Sequence, residues 1–325
     1  MKFHKNDWQR LRELREGFLK NTSHNYWHTQ EDLELYDHTY AERIAWKWNA
    51  VLRDLTNLGW RSHAHQILDW GCGTGIAART VSTWSGISQV ALLDQSELAL
   101  NFAHTKLRES GCTTWNHVAW QHDQPTLLLI SHVIGELDEK ELQNLASFAT
   151  HADEIIWVEP GSYELSRRLG MVRQEILQAG HHLIAPCTHE DACPMFQEKQ
   201  VRDWCHFFAK PPPEIFQSSF WHEASHELGI DLRSLPYSFL AFAKETDLGK
   251  KTGLSGPERL IGHPRVLKAH GKLFCCGAQG LCERMLQKRD NPNLFRALIK
   301  NQETGTFTWS LNDSGHIIDG RPLLT

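Results

Sequence analysis

The chain has 325 residues, of which 41% are hydrophobic and 22% charged, and a formal net charge of −5. This composition is ordinary for a soluble globular protein of one large or two modest domains, no apolar run approaches the ~18 residues of a membrane helix, and an acidic chain is no general binder of polyanions. The start, Met1-Lys2-Phe3-His4-Lys5-Asn6-Asp7, has no signal-peptide core, and Asp7, Glu13 and Glu16 argue against a transit peptide, so a cytoplasmic location is expected. There the eight cysteines are expected as thiols or metal ligands, not disulfides.

In chain order, Trp8, Leu11, Leu14 and Phe18 recur every three to four residues and predict a first helix. A polar break at Asn21–Asn25 follows. A second helix is expected from near Gln30 to Leu55, with Tyr36, Tyr40, Ile44, Trp48 and Leu52 four apart and Trp46, Trp48 and Trp60 adding bulk. From 66 to 160 short apolar runs (66–69, 89–94, 126–130, 154–158) alternate with helical stretches such as Ser96–Glu109 and Asp138–Ala149. That rhythm predicts an α/β doubly wound parallel sheet of Rossmann-like type. Tyr237–Phe242 reads as a later strand, Pro211-Pro212-Pro213 as a loop, and the chain after Thr246 as a small β-rich unit.

The first strand runs into Asp69-Trp70-Gly71-Cys72-Gly73-Thr74-Gly75. Glycines are needed where backbone must approach a ligand closely or take positive φ. The dinucleotide fingerprint would need glycine at 76, which is Ile76; the pattern is instead that of class I S-adenosylmethionine-dependent methyltransferases. Asp94 ends the next strand, where an acid can hold ribose hydroxyls. Asp69, Gly71, Gly73, Gly75 and Asp94 are therefore the expected cofactor-binding residues. His132–Leu137 follows the fourth strand, where the transferred methyl would face; Glu136 is the candidate there, equally readable as a helix cap, and no catalytic residue is otherwise marked. There is no Asn-Pro-Pro-Tyr-type motif. Pro186-Cys187 looks superficially like the nucleophile of RNA cytosine-5 methyltransferases but follows the wrong strand.

Cys187, Cys193 and Cys205 are separated by five and eleven residues, wider than the two to four common in structural zinc sites. A loose set of thiols with one distant member suits a bulky iron–sulfur cluster better than a single zinc ion. Zinc stays open as the alternative, with His206 able to replace a thiolate. The fourth ligand is Cys275 or Cys276, which on a strand face opposite ways. Cys72, Cys112 and Cys282 read as structural. The Cys-x-x-x-Cys-x-x-Cys arrangement of radical enzymes is missing. From Arg259 to Lys300 nine Lys or Arg stand against Glu283 and Asp290, so this stretch is +7 and the remainder −12. Such asymmetry is a footprint of RNA contact, with a solvated face as the plainer reading.

At these residues the sequence resembles the methyltransferase-like proteins associated with the mitochondrial small ribosomal subunit, and their bacterial relatives. The likeness rests on Leu68–Gly75, Val158-Glu159-Pro160-Gly161, Ala185-Pro186-Cys187, Cys193-Pro194, Trp204-Cys205-His206-Phe207 and Cys276–Gly280, over roughly residues 30 to 290. It implies a Rossmann-like methyltransferase fold and an S-adenosylmethionine site. It also implies a [4Fe-4S] cluster on Cys187, Cys193, Cys205 and Cys276, and a role in assembling the small subunit on its rRNA. Arg265, Lys268 and Lys272 are the expected RNA contacts, and the protein is expected to be a monomer. The implied organisation is an N-terminal helical region (1–64), a methyltransferase core (65–185, continuing at 235–245), a cysteine-rich metal-binding insertion (186–234) and a basic β-rich C-terminal region (246–325). Two alternatives stand: a non-catalytic assembly factor that retains the cofactor pocket, and a zinc-stabilised methyltransferase of a protein or small molecule.

Overall fold

The computed structural model describes residues 3–20, 27–119, 124–246 and 256–323. The polar break at Asn21–Asn25 and the side chain of Phe18 lie outside the described residues. The chain divides into two compact units: Met1–Leu52, Ser62–Glu159 and Ala209–Leu235 form the first, and Arg53–Arg61, Pro160–Phe208 and Pro236–Thr325 the second.

The first unit opens with α1 (Lys5–Lys20), α2 (Gln30–Tyr36) and α3 (Glu42–Asn57). The continuous helix expected from Gln30 to Leu55 is thus interrupted by a π turn at Asp37–Ala41. Its proposed stripe also changes. Residues spaced strictly by four drift by about 40° per step on a 3.6-residue helix, so they cannot share one face. Leu33, Leu35, Thr39, Ala41, Ala45, Trp48 and Leu52 are buried, while Tyr36, Tyr40 and Ile44 are only partly so. The extra residue of the π turn re-aims the stripe between the two helices.

Next come β1 (Gln66–Trp70), α4 (Ile76–Ser85), β2 (Gln89–Leu93), α5 (Glu97–Glu109), β3 (Thr113–Asn116), β4 (Thr126–Ser131), α6 (Glu139–Ala149) and β5 (Glu154–Pro160). The strands run parallel in the order β3-β2-β1-β4-β5. Leu127, Leu128, Leu129, Ile130, Ile155, Ile156, Trp157 and Val158 are fully buried, as strands covered on both faces require. The order turns between β1 and β4, so their carboxyl ends open a crevice.

The second unit holds α7 (Tyr163–Gln178), β6 (His182–Ala185), β7 (Phe207–Ala209) and β8 (Leu235–Ala243), with β8 antiparallel to β6 and also paired with β7. It continues into β9 (Pro257–Val266), β10 (His270–Gly277), β11 (Gly280–Gln287), β12 (Thr306–Leu311) and β13 (Ile317–Pro322). These five close into a barrel in the order β10-β11-β13-β12-β9. A short helical segment, Pro292–Phe295 continued by a π turn at Arg296–Lys300, joins β11 to β12. Its Phe295, Leu298 and Ile299 fill the barrel with Leu260, Leu273, Cys275, Leu286, Phe307 and Ile317. Gly271 is required where this segment closes the barrel, because a Cβ there would lie 2.4 Å from Ile299 Cδ1.

Candidate functional site

The loop after β1 turns back toward α4 through three glycines at positive φ: Gly71 at 66°, Gly73 at 50° and Gly75 at 72°. A Cβ on Gly71 would meet Val133 Cγ1 at 2.9 Å. Asp94, just beyond β2, fixes the loop from the other side. Its Oδ2 accepts the Gly73 N–H and its Oδ1 the Ser96 N–H, both at 2.8 Å. Burial raises the Asp94 pKa, and those two backbone donors pull it back.

Gly71, Gly73 and Asp94 line a cavity of ≈ 290 Å³, joined by Trp27, Tyr36, His132 and Glu136 among others. This is about the lower limit for small-molecule pockets. Two of the expected cofactor residues stand behind its wall. Asp69 is fully buried and accepts the Ala78 N–H at 3.1 Å, tying β1 to the start of α4; burial pushes its carboxyl up to about 7. Gly75 packs on Ala103, where a Cβ would come within 3.0 Å of the alanine's own.

The opposite wall follows β4. His132 has φ 60°, uncommon for a side chain other than glycine. Its Nε2 lies 3.0 Å from Lys47 Nζ, and Ser131 Oγ accepts the Trp48 Nε1–H at 2.9 Å. Lys47 is half-buried; burial, with Arg43 nearby, lowers its pKa to about 7 against the pull of Glu159. His132 is held well below the usual range by burial and by Lys47 and Arg43. Glu159 Oε1 accepts from the Val133 N–H at 3.1 Å, the Ile134 N–H at 3.3 Å and the Trp157 Nε1–H at 2.8 Å. Buried, its carboxyl rises to about 7.

Glu136 faces the cavity and is not the cap of α6. That role belongs to Asp138, which exchanges hydrogen bonds with Glu141 at 2.8 Å in both directions. Sequence reasoning did not single out Lys47; it marked His132 only as the start of the stretch after the fourth strand and Glu159 only as part of the Val158–Gly161 motif.

The second unit brings the late cysteines together. Cys205 is raised well above the usual thiol range by burial and then by Cys187, Cys193 and Cys276. Cys193 is pushed to about 11 by burial and Cys187. Cys276 is raised by burial, Cys187 and Cys193. Cations face the set: Arg173 acts on Cys193 and Cys276, Arg167 on Cys193, and Arg259 on Cys205, each favouring thiolate.

Arg173, 1% exposed, also donates to the carbonyls of His189 at 2.7 Å and Asp191 at 2.9 Å. Arg167 reaches the carbonyls of Met195 at 2.9 Å and Asp203 at 3.1 Å. Cys275 is 0% exposed inside the barrel, where its thiol contacts Cys282. His206 stacks on Trp204 at 4.5 Å, and its Nδ1 meets the Trp204 carbonyl at 3.1 Å. Cys72 and Cys112 are buried and Cys282 is half-buried against Glu258. Among the described residues, no group of three or more His, Cys, Asp or Glu side chains is arranged so that it could hold metal.

Of the basic residues, Arg265 and Lys268 are exposed and Lys272 is half-buried. Arg265 and Lys272 both pair with Glu283, the latter at 2.7 Å. Arg259 is internal, 2.5 Å from Asp54 and with its guanidinium 4.3 Å from the Phe207 ring centre.

A family model described as mitochondrial small ribosomal subunit Rsm22 matches residues 37–305. No curated protein matches the chain. Among solved structures, the chain is similar to the plantazolicin methyltransferase BamL in complex with a substrate analogue and SAH, at 12% identity over 73% of this chain and 99% of that one, TM-score 0.41. It is similar to a SAM-dependent methyltransferase from Aquifex aeolicus, at 16% identity over 48% and 90%, TM-score 0.35. It is also similar to the methyltransferase domain of bacterial CtHen1, at 13% identity over 62% and 98%, TM-score 0.37.

Proposed function

The chain belongs to the Rsm22 family of the mitochondrial small ribosomal subunit, and from that premise we propose that it is an S-adenosylmethionine-binding, methyltransferase-like protein that carries a [4Fe-4S] cluster and acts on small-subunit rRNA during assembly. The observation that carries this reading is the cavity of Gly71, Gly73 and Asp94 at the carboxyl ends of parallel strands. Backbone at positive φ leaves room for a ligand's methionyl part, and a carboxylate already aligned by two N–H groups suits a ribose diol. When bound, the cofactor supplies an electrophilic methyl group. The chain's own share is to shape the acceptor side: Glu159 fixes the backbone after β4, and the Lys47–His132 pair, both with lowered pKa, sets two nitrogens beside the cavity.

What supports the cluster reading is that four cysteines lie near one another with cations against them. Cys187, Cys193, Cys205 and Cys276 would hold the cluster, which ties distant loops by metal–sulfur bonds. Zinc remains the alternative: structural zinc sites favour more closely spaced cysteines, while His206 meets the Trp204 carbonyl through Nδ1 and keeps Nε2.

Modification mapping of small-subunit rRNA from a strain lacking the protein tests the activity. A methyl mark lost on deletion, restored by the wild type and not by Asp94→Ala, is expected. A full set of marks together with accumulated immature subunits would replace the enzyme with a non-catalytic assembly factor.

A further inference from the structure

The barrel of the second unit has a specific connectivity. Its strands follow the order β9-β10-β11-β13-β12 and back to β9. All neighbours are antiparallel except β11 and β13, which are parallel, and a short helical segment sits between the third and fourth strands. Five strands in this order, with that one parallel pair and that helix, make an OB-fold. In OB-folds the second and third strands, with the loop between the first and second, form the surface that receives an oligonucleotide or oligosaccharide.

The residues at that place decide between the two. In β10, Leu273 and Cys275 point into the barrel, so Lys272 and Phe274 lie on its outer face. The β9–β10 loop exposes Val266 and Leu267, 49% and 44% accessible, beside Lys268. The Lys288 N–H donates to the Ala269 carbonyl at 3.0 Å, which brings the end of β11 alongside this loop. Lys268 and Lys288 have no acidic partner among the described residues. At the other margin His263 stacks on Phe208 with ring centres 3.6 Å apart. Cations beside accessible apolar and flat side chains match a polyanion whose bases are unstacked. A sugar chain would not call for the cations, and a regular duplex would hide its bases.

We infer that the outer face of β10 and β11 at the end that carries Lys272 and Phe274, short of Cys276, together with the β9–β10 loop, is a site for single-stranded RNA. Phosphates lie along Lys268, Lys288 and Lys272, and bases rest on Leu267 and Phe274. This rests on the rRNA reading above and deepens it by naming the form of RNA and the surface.

The test is fluorescence anisotropy on the full chain with three probes: a labelled 12-nucleotide single-stranded RNA, the same sequence as a duplex, and a folded small-subunit rRNA fragment. An OB-fold site covers ~4–16 nucleotides. The single strand is expected to bind at least about tenfold tighter than the duplex. The exposed pair Lys268→Gln and Lys288→Gln should weaken it by roughly tenfold at low salt and reduce the salt slope by about 1.4, from ~0.7 per lost phosphate contact. Equal or tighter binding of the duplex would overturn the inference, as would a single-strand preference undiminished in the double variant. If the folded fragment alone binds, the rRNA reading stands and this site falls. If no RNA binds, both fall.

Discussion

Cys275 and Cys276 are consecutive in one strand and belong to different surroundings. Cys275 is a core residue of the barrel, while Cys276 is set against Cys187 and Cys193. Strand alternation separates them.

Metal content should therefore discriminate between neighbours. Protein purified without oxygen is expected to be brown, with ~4 iron and ~4 acid-labile sulfide per chain. Cys276→Ser should lose the iron and lower the Tm. Cys275→Ala should keep the iron and cost about 1 kcal/mol, the scale of a small core truncation. Colourless protein carrying one zinc would refute the cluster; iron lost only from the Cys275 variant would exchange the two roles.

Asp94 has two duties, one to the glycine loop and one to the cavity. Asp94→Ala should weaken S-adenosylhomocysteine binding by about tenfold or more, since a charge-assisted hydrogen bond is worth about 1.5–3 kcal/mol. Asp94→Asn keeps one acceptor for the loop and should fall between. Calorimetry reads both, and unchanged affinity in the alanine variant would move the cofactor elsewhere.

Lys47 makes a signed prediction about pH. Its pKa is about 7 in the folded protein against an ordinary 10.5, so between those values the unfolded chain binds the extra proton. Stability from this group therefore rises with pH across that window, and its cost is greatest below pH 7. Lys47→Met should stabilise the protein by a few kcal/mol near pH 6, because each tenfold loss of proton affinity on folding is worth about 1.4 kcal/mol, and by little at pH 10. Thermal unfolding across pH measures this; a gain independent of pH would mean that the amine is not desolvated.

Arg259 is a buried cation inside a strongly basic stretch. Arg259→Met should cost about 3–5 kcal/mol by leaving Asp54 uncompensated. Arg259→Met combined with Asp54→Asn should recover much of it. Chemical denaturation of the two variants decides, and no recovery would assign the loss to packing on Phe207.

Glu283 holds back two of the cations expected to meet RNA. Glu283→Gln should tighten RNA binding severalfold at low salt and steepen its salt dependence, because counterion release grows with each cation free to meet a phosphate. Titrations at two salt concentrations suffice, and weaker binding would show that the pairs position the face.

Much of the parallel sheet was legible because β1, β2, β4 and β5 are apolar runs, the first two reaching an acid at Asp69 and Asp94. β3 was not: Thr113-Thr114-Trp115-Asn116 is a polar edge strand with no fully buried residue, so neither run nor alternation marks it. The glycine loop and Asp94 were readable from spacing, whereas Asp69 and Gly75 shared the motif for structural reasons that only packing reveals. Lys47 and His132 meet from 85 residues apart, and one lysine on an amphipathic helix looks like any other. The C-terminal region announced itself as β-rich. Its closure did not, since β12 with β9 and β11 with β13 are non-local pairings that leave no periodic mark.

Two of the three arginines of α7 hold the thiol-bearing segment. Arg173 and Arg167 occupy the carbonyls of residues 189, 191, 195 and 203 with their own N–H groups. The thiol-bearing segment thus takes part of its course from these guanidinium groups, with Tyr163 and Glu190 also engaged along it. On the cluster reading proposed above, metal would enter a segment whose backbone the helix already holds, so loading would follow the docking of that segment rather than cause it.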